Sequence, residues 1–211
     1  MTVFITHCCK SARLECLGYL LCALLFCAWP RLVVAQAAGA ELSQLQVERA
    51  GDAVLLSATT RFDLPLTVEE ALLKGIPIIF VAEAELVRER WYWTNKKVAS
   101  AERHMRLAFQ PLTRRWRLNI ASGPIAMSGI GMALTQNFDT LADALSAVQR
   151  ISRWKIADAA ELDLSQRHLL QFRFRLDVTQ LPRPLQIGTL GDTDWDLAVS
   201  TTRTFLLEPG R

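Results

Sequence analysis

Arginine recurs on one phase of three segments of the 211-residue sequence, where it alternates with apolar side chains. In β-strands these arginines would share the face opposite the apolar one, because successive side chains point to opposite sides. If the three strands are neighbours, their sheet carries an arginine-rich outer face suited to anionic lipid headgroups, acidic glycan or an acidic protein. The alternative is cross-strand pairing with Glu83 and Glu85, which gives only a solvated surface. The predicted interaction face consists of Arg106, Arg115, Arg117, Arg173 and Arg175.

Histidine is scarce: after residue 37 the sequence contains only His104 and His168. Neither has a second ligand-type residue at a zinc-site spacing, and no Gly-x-Ser-x-Gly nucleophile motif accompanies them. Both are therefore predicted to be polar residues on outer strand faces rather than bases or metal ligands. Phosphate-binding, calcium-binding and dinucleotide-binding motifs are also missing from the sequence. We expect no catalytic residue, no cofactor and no metal.

Two further groups of residues leave alternatives open. Two carboxylates suffice for glycoside hydrolysis, so Glu83 with Glu85, or a cluster of three aspartates, keeps a carboxylate-dependent hydrolase under consideration. A tryptophan pair, Trp91 and Trp93, is typical of a core but would also suit a cleft for a small lipid or glycan. The aspartates are Asp192, Asp194 and Asp196, and they surround Trp195.

The elements that position these residues are mostly predicted strands. A hairpin is expected from Leu45 to Phe62 with its turn at 50–52, and a long strand begins at Ile78. The apolar phase of that strand reverses near Leu86 and Val87, which predicts a bulge or bend there. Further strands are predicted at 103–109 and 116–120, joined by a turn at 110–113, at 170–178, and from 195 to about 207.

Two short helices complete the prediction. Thr67 with Glu70 three residues later suggests a capping box for the first, which Gly75 ends. The second falls within 138–151, with Asp139 or Thr140 as its cap. Strands without regular strand–helix alternation indicate antiparallel pairing. The predicted fold is therefore mainly β: a single antiparallel, sandwich-like domain with two short helices.

The first 37 residues have the features of a secretory signal. Lys10 and Arg13 precede an uncharged run from Cys16 to Trp29, and small residues at 35 and 37 flank Gln36. This order predicts a cleaved signal peptide at 1–37, a single domain at 38–211 and a periplasmic location. An uncleaved membrane anchor is the alternative, although the run is shorter than the roughly 20 residues that a spanning helix needs.

Export would also change the composition of the working protein. All five cysteines lie within residues 1–37, so the remainder has no disulfide, thiolate metal ligand or cysteine nucleophile. The same segment holds three basic residues and one acidic residue, so the net charge is +3 for the full sequence and +1 for the remainder. That near-neutral balance gives no support for nucleic-acid binding.

Three stretches of the sequence carry a resemblance to a known family. They are Gly75–Phe80 continuing through Glu83 to Trp93, the strand Arg106–Phe109, and Leu181–Leu185 before Asp194 and Trp195. Together they resemble the proteobacterial family called domain of unknown function 4390 over roughly 41–208. The resemblance implies an exported protein of a Gram-negative bacterium, with no established activity and no defined site residues. It also implies that such proteins are encoded beside membrane sensor kinases, which would suit an accessory role.

These observations favour a non-catalytic periplasmic envelope protein that serves as a binding or accessory module. A membrane sensor system is one system that such a module could serve. The expected partner is a membrane or envelope protein, with contact to anionic lipid or glycan as the alternative. The sequence indicates neither an oligomeric state nor the identity of the partner.

Overall fold

The computed structural model describes residues 39–88, 96–123, 134–163, 166–183 and 195–206. Within these ranges the chain forms strands, two α-helices, α1 (Leu66–Leu73) and α2 (Leu141–Gln149), and two single-turn 3₁₀ helices, Ala159–Glu161 and Val178–Gln180. The strands are β1 (Glu41–Ala50), β2 (Ala53–Arg61), β3 (Ile78–Arg88), β4 (Lys96–Gln110), β5 (Arg115–Ser122), β6 (Leu134–Phe138), β7 (Arg150–Asp158), β8 (His168–Leu176) and β9 (Ala198–Phe205).

The strands form two antiparallel sheets that share one core. The smaller sheet has the order β1-β2-β7 and the larger has the order β6-β5-β4-β3-β8-β9. Every pairing in both sheets is antiparallel. The mainly β, sandwich-like single domain expected from the sequence is thus confirmed.

Strand β3 lies in the middle of the larger sheet, between β4 and β8. Its residues Ile78 to Ala82 are all buried, which is why this part of the sequence is continuously apolar rather than alternating. The predicted irregularity near Leu86 and Val87 is confirmed by a register shift at that point. The extra residue is Val98 of β4, however, since β3 continues without interruption in its pairing with β8.

The predicted hairpins are both present. Strands β1 and β2 meet at Gly51, whose φ of 59° is the left-handed conformation that glycine adopts without strain. Strands β4 and β5 pair from Arg103 to Ser122 around the turn at 111–114. In both hairpins two-residue alternation and a turn signal were sufficient for the prediction.

The helix predictions are correct in place but differ in detail. Helix α1 begins two residues earlier than the capping box predicts, with Pro65 instead of Thr67 at its N-cap. No side chain of the described residues caps it, so the capping box of Thr67 and Glu70 is wrong. Helix α2 has the predicted cap, because the Thr140 side chain accepts a hydrogen bond from the N–H of Asp143 at 3.1 Å. It ends at Gln149, and the chain passes directly into β7.

The core is centred on three stacked phenylalanines that join the middle of the larger sheet to the end of β2. The ring centroids of Phe62 lie 5.6 Å from those of both Phe80 and Phe174, and the last two are 5.9 Å apart. Phe80 and Phe174 are fully buried. Burial of this aromatic area, together with offset stacking, stabilises the contact between the strands that carry the candidate site.

Candidate interaction face

The register of the larger sheet places all five predicted arginines on its outer face, opposite the core. Arg173 and Arg175 of β8 lie beside Glu83 and Val81 of β3. The remaining three lie on the other side of β3, Arg106 in β4 and Arg115 and Arg117 in β5. In the pairing of these two strands, Arg106 is opposite Asn119, Arg117 is opposite Ala108 and Arg115 is opposite Gln110. We call this set of five residues the arginine face. The sheet therefore brings them to one side, in two groups separated by β3.

The first group is neutralised within the sheet. Arg175 donates to Glu83 Oε1 from Nε at 3.2 Å and from Nη2 at 3.1 Å. Arg173 Nη1 lies 3.8 Å from Glu83 Oε2, and Arg175 Nη1 lies 3.5 Å from Asp177 Oδ1. Arg173 and Arg175 therefore follow the alternative interpretation, in which the arginines form cross-strand ion pairs with Glu83. Their charges are largely offset by the two carboxylates.

Asp177 holds this group in place from the end of β8. Its carboxylate accepts hydrogen bonds from the Thr179 hydroxyl at 2.7 Å, the Thr179 N–H at 3.1 Å and the Gln180 amide at 3.1 Å. Burial by itself would raise the pKa of Asp177, but the hydrogen bonds from Thr179 and Gln180 and the charge of Arg175 outweigh it and lower the pKa below its usual value.

The second group is less completely neutralised. Exposed Arg115 forms an ion pair with exposed Asp139 at 3.1 Å. Among the described residues, the partners of Arg117 are neutral: Asn137 accepts from its Nε at 3.4 Å, and the Gln110 side-chain amide lies within 3.3 Å of the guanidinium, with its oxygen as the suitable acceptor.

Arg106 is the least constrained member of the arginine face. Its side chain is half-buried, and within the described ranges it makes no ion pair or side-chain hydrogen bond. Arg106 and Arg117 are thus two guanidinium groups without a carboxylate partner in the described part of the chain. They occupy diagonal positions on adjacent strands, which places their Cα atoms about 7–8 Å apart.

The centre of the outer face is buried. Ile79, Val81 and His104 are each at most 6% exposed. The prediction that His104 lies on the outer side of its strand is confirmed, and its Nε2 is 3.5 Å from Glu102 Oε2. Glu102 is directly opposite Glu83 across the strand pair. The outer face therefore carries charges of both signs around a buried middle.

The prediction for His168 is wrong. It shares the phase of Leu170 and Phe172, so the register turns it toward the core, where it is fully buried. Among the described residues, neither of its ring nitrogens has a hydrogen-bond partner, and the centroid of its ring lies 6.1 Å from that of Phe205. The apolar phase of β8 already contained this information, because position 168 is even like the buried positions that follow it.

The other candidate residues have separate positions. Glu85 pairs with Lys97 at 2.7 Å rather than with an arginine. Glu83 is engaged by Arg173 and Arg175, and Asp196 is exposed. Asp192, Asp194, Trp91 and Trp93 lie outside the described residues, as does the predicted signal segment. In the ranges that the structure describes, no three histidine, cysteine or acidic side chains come together as metal ligands, and no helix is long and apolar enough to cross a membrane.

One arginine outside the predicted set also has unusual surroundings. Arg103 follows the apolar phase of β4, opposite Ala82, and therefore points to the core side of the sheet. Its Cζ lies 5.2 Å from the centroid of the Trp154 ring. Burial lowers the pKa of Arg103. The sequence signal was its position two residues before buried Met105, in the phase shared by apolar residues.

Comparison with known families adds one positive finding to this geometry. A family model described as Domain of unknown function (DUF4390) matches residues 37–204. The chain belongs to this family. The resemblance seen in its sequence motifs is thereby confirmed, and the matched range contains every strand of both sheets except the last residue of β9. The chain matches no curated protein and no solved structure.

Proposed function

We propose that this DUF4390 protein is a non-catalytic binding module of the bacterial cell envelope that captures an acidic segment of a partner protein on its arginine face. The observation that carries the proposal is the pair Arg106 and Arg117. Two guanidinium groups at diagonal positions, each without a carboxylate partner in the described chain, are free to bind carboxylates in trans.

The spacing of the pair suits an extended acidic segment. Alternate side chains of a β-strand point the same way and are about 6.6–6.8 Å apart, close to the 7–8 Å expected between diagonal neighbours on the sheet. Two acidic side chains at positions i and i+2 of a partner could therefore each face one arginine. The donor geometry of the guanidinium gives such pairing directional specificity.

The mixed charge of the outer face favours a protein over an anionic bilayer. Glu83, Glu85 and Glu102 lie on the same side of the sheet as the arginines, and they would repel a continuous layer of negative headgroups. A protein segment can place its acidic residues beside Arg106 and Arg117 and avoid the three carboxylates. Complementary patterns of this kind select partners more than they add affinity.

The proposed location rests on the sequence. The charged, apolar and small-residue order of residues 1–37 supports export to the periplasm. There the partner would be a membrane or envelope protein, and a membrane sensor with an acidic segment outside the bilayer fits the proposed accessory role.

The test is in-cell crosslinking of the tagged full chain, followed by mass spectrometry of protein and non-protein material. The variant is Arg106→Glu with Arg117→Glu, because neither residue has a carboxylate partner whose loss would disturb the described fold. Charge reversal of Arg173 and Arg175 is a poorer test, since it would also disrupt their ion pairs with Glu83. The matched control is Arg61→Glu with Arg203→Glu, which makes the same change in charge at exposed positions of β2 and β9.

We expect the wild type and the control to retain one reproducible protein partner, crosslinked through a segment rich in Asp and Glu. The Arg106 and Arg117 variant should lose at least about nine-tenths of that capture, the effect of roughly 1.4 kcal/mol, while its thermal midpoint stays near that of the control. Undiminished capture by this variant, or retention of lipid or glycan without a protein partner, would contradict the proposal.

A further inference from the structure

A cleft of about 720 Å³ opens on the core-facing side of the larger sheet, away from the arginine face. It lies between the β4-β5-β6 half of that sheet, helix α2 and the smaller sheet. Its volume is within the range of about 300–1,000 Å³ that is typical of small-molecule sites. The described residues that line it are Thr59, Arg103, Ile120, Leu134, Gln136, Ser146, Ala147, Gln149, Arg150 and Ser152.

The charge in this cleft is of one sign. Its described lining includes two arginines, Arg103 and Arg150, and no aspartate or glutamate. Neither arginine forms an ion pair elsewhere in the described part of the chain. Of the two, Arg103 has the larger desolvation cost, because its guanidinium is partly withdrawn from water and burial lowers its pKa. The ring of Trp154 offsets only part of that cost.

A partly buried cation without a counter-ion destabilises a folded chain unless something else compensates it. Here the compensation available inside the described protein is one aromatic face. An anionic ligand would supply the missing charge and would accept the directional hydrogen bonds that a guanidinium donates. A bound anion would therefore stabilise the cleft, because it would neutralise the arginine charge and accept the guanidinium hydrogen bonds.

The rest of the lining adds an apolar surface beside the two charges. Ile120, Leu134 and Ala147 face the same space, and Leu134 is 60% exposed although it is a large apolar residue. Hydroxyl and amide groups of the remaining lining residues complete the wall. A ligand with an anionic head and an attached alkyl chain would satisfy both parts, whereas inorganic phosphate would leave Leu134 uncovered.

We propose that this cleft binds an amphiphilic organic anion, with its carboxylate or phosphate on Arg103 and Arg150 and its alkyl chain against Ile120, Leu134 and Ala147. This site is separate from the arginine face and does not depend on the proposed capture of a protein partner.

The test measures ligand binding to the purified full chain by isothermal titration calorimetry. The probes are dodecyl phosphate and dodecanoate below their micellar concentrations, with dodecanol and inorganic phosphate as matched halves of the ligand. The variant is Arg103→Met, which keeps a long side chain and removes the charge. Arg203→Met, at an exposed position of β9 on the opposite edge of the sheet, is the control.

We expect dodecyl phosphate or dodecanoate to bind, and the stronger of the two identifies the head group. Arg103→Met should weaken that binding roughly 10- to 100-fold, as for loss of a charged hydrogen bond, while Arg203→Met leaves it unchanged. The thermal midpoint of Arg103→Met without ligand should equal or exceed that of the wild type, because a poorly compensated charge has been removed. A purely structural Arg103 would lower the midpoint instead.

Three results would overturn the inference. The first is equal binding of dodecanol, which would make the cleft only an apolar groove. The second is equal binding of inorganic phosphate, which would remove the role of the chain. The third is unchanged affinity in Arg103→Met, which would place any bound anion elsewhere.

Discussion

Replacement of Asp177 by asparagine tests whether one buried carboxylate organises the end of β8. The side chain of Asp177 is 7% exposed, and Oδ1 accepts both hydrogen bonds from Thr179 while Oδ2 accepts from Gln180. Asparagine can keep the Oδ1 interactions but presents an NH₂ group where Gln180 donates. It also removes the negative charge that lies 3.5 Å from Arg175 Nη1.

The expected cost follows from these two losses. A hydrogen bond to a charged group contributes about 1.5–3 kcal/mol, and an ion pair with a partly exposed arginine adds up to about 1 kcal/mol. Near pH 7 we therefore expect Asp177→Asn to lower the free energy of unfolding by about 1.5–4 kcal/mol. Such a loss is a large fraction of the roughly 5–15 kcal/mol that stabilises most domains.

The dependence on pH distinguishes this explanation from a simple packing defect. Because the folded-state pKa of Asp177 is lowered, its stabilisation is complete above the unfolded value of about 3.9 and is lost as the pH falls through the folded-state pKa. Asparagine does not titrate. The difference between wild type and variant should therefore shrink as the pH falls below about 4.

Urea unfolding monitored by tryptophan fluorescence at a series of pH values between 7 and 2.5 measures this difference. Asp196→Asn is the control, because Asp196 is exposed and makes no ion pair or hydrogen bond within the described residues. It should change stability little at any pH. If the wild-type and Asp177→Asn curves stay parallel down to pH 2.5, the carboxylate does not stabilise the fold through its charge and the reasoning fails.

Two further substitutions test the core. Phe174→Ala should cost about 3–5 kcal/mol, because it opens a cavity beside Phe62 and Phe80; a loss below about 1 kcal/mol in urea unfolding would mean that the three rings do not form one packed unit. His168→Leu should raise the free energy of unfolding by about 1–2 kcal/mol, since it removes two buried nitrogens without partners. A lower chemical midpoint for this variant would show that the imidazole makes a stabilising interaction.

Local alternation was enough to predict most of the larger sheet. Arg173 and Arg175 alternate with Phe172 and Phe174, and a period of two leaves only one choice of face for each set. The same reasoning placed Arg106 outward. Since alternate side chains of a strand point to opposite sides, each arginine could be predicted to lie opposite the apolar side of its own strand. That all five share one face depends on the pairing of β8, β3, β4 and β5 in one sheet.

Pairing between strands could not be predicted in this way. That Glu83 lies beside Arg173, and Lys97 beside Glu85, depends on strand order and register across the sheet. The bulge at Val98 arises from the same cause, because the misfit in phase near Leu86 can be relieved on either of two paired strands. A single sequence therefore predicts that a bulge is needed near Leu86, but it does not predict which of the two paired strands carries the extra residue.

The remaining errors come from tertiary context. Strand β7 was missed because its first residues continue the apolar spacing of α2, and Ile151 satisfies both patterns. The end of the helix is fixed beside β2 by Gln149, which donates to Phe62 O at 2.9 Å and accepts from Thr60 Oγ1 at 3.3 Å. The pairing of Arg150 with Thr59 follows at once. The polar strand β6 was likewise missed, since its pairing with β5 rather than its own composition defines it.

Strand β4 connects the two proposed sites and also keeps them apart. Arg103 and Arg106 are separated by an odd number of positions, so they point to opposite sides of the same sheet. Arg103 faces the cleft beside Trp154, and Arg106 faces outward beside Arg117. A substitution at either arginine leaves the other surface intact, because the backbone of β4 is held by β3 and β5 on its two edges. Loss of anion binding in Arg103→Met with normal partner capture, and the reverse in the Arg106 and Arg117 variant, would therefore assign the two activities to the two faces independently.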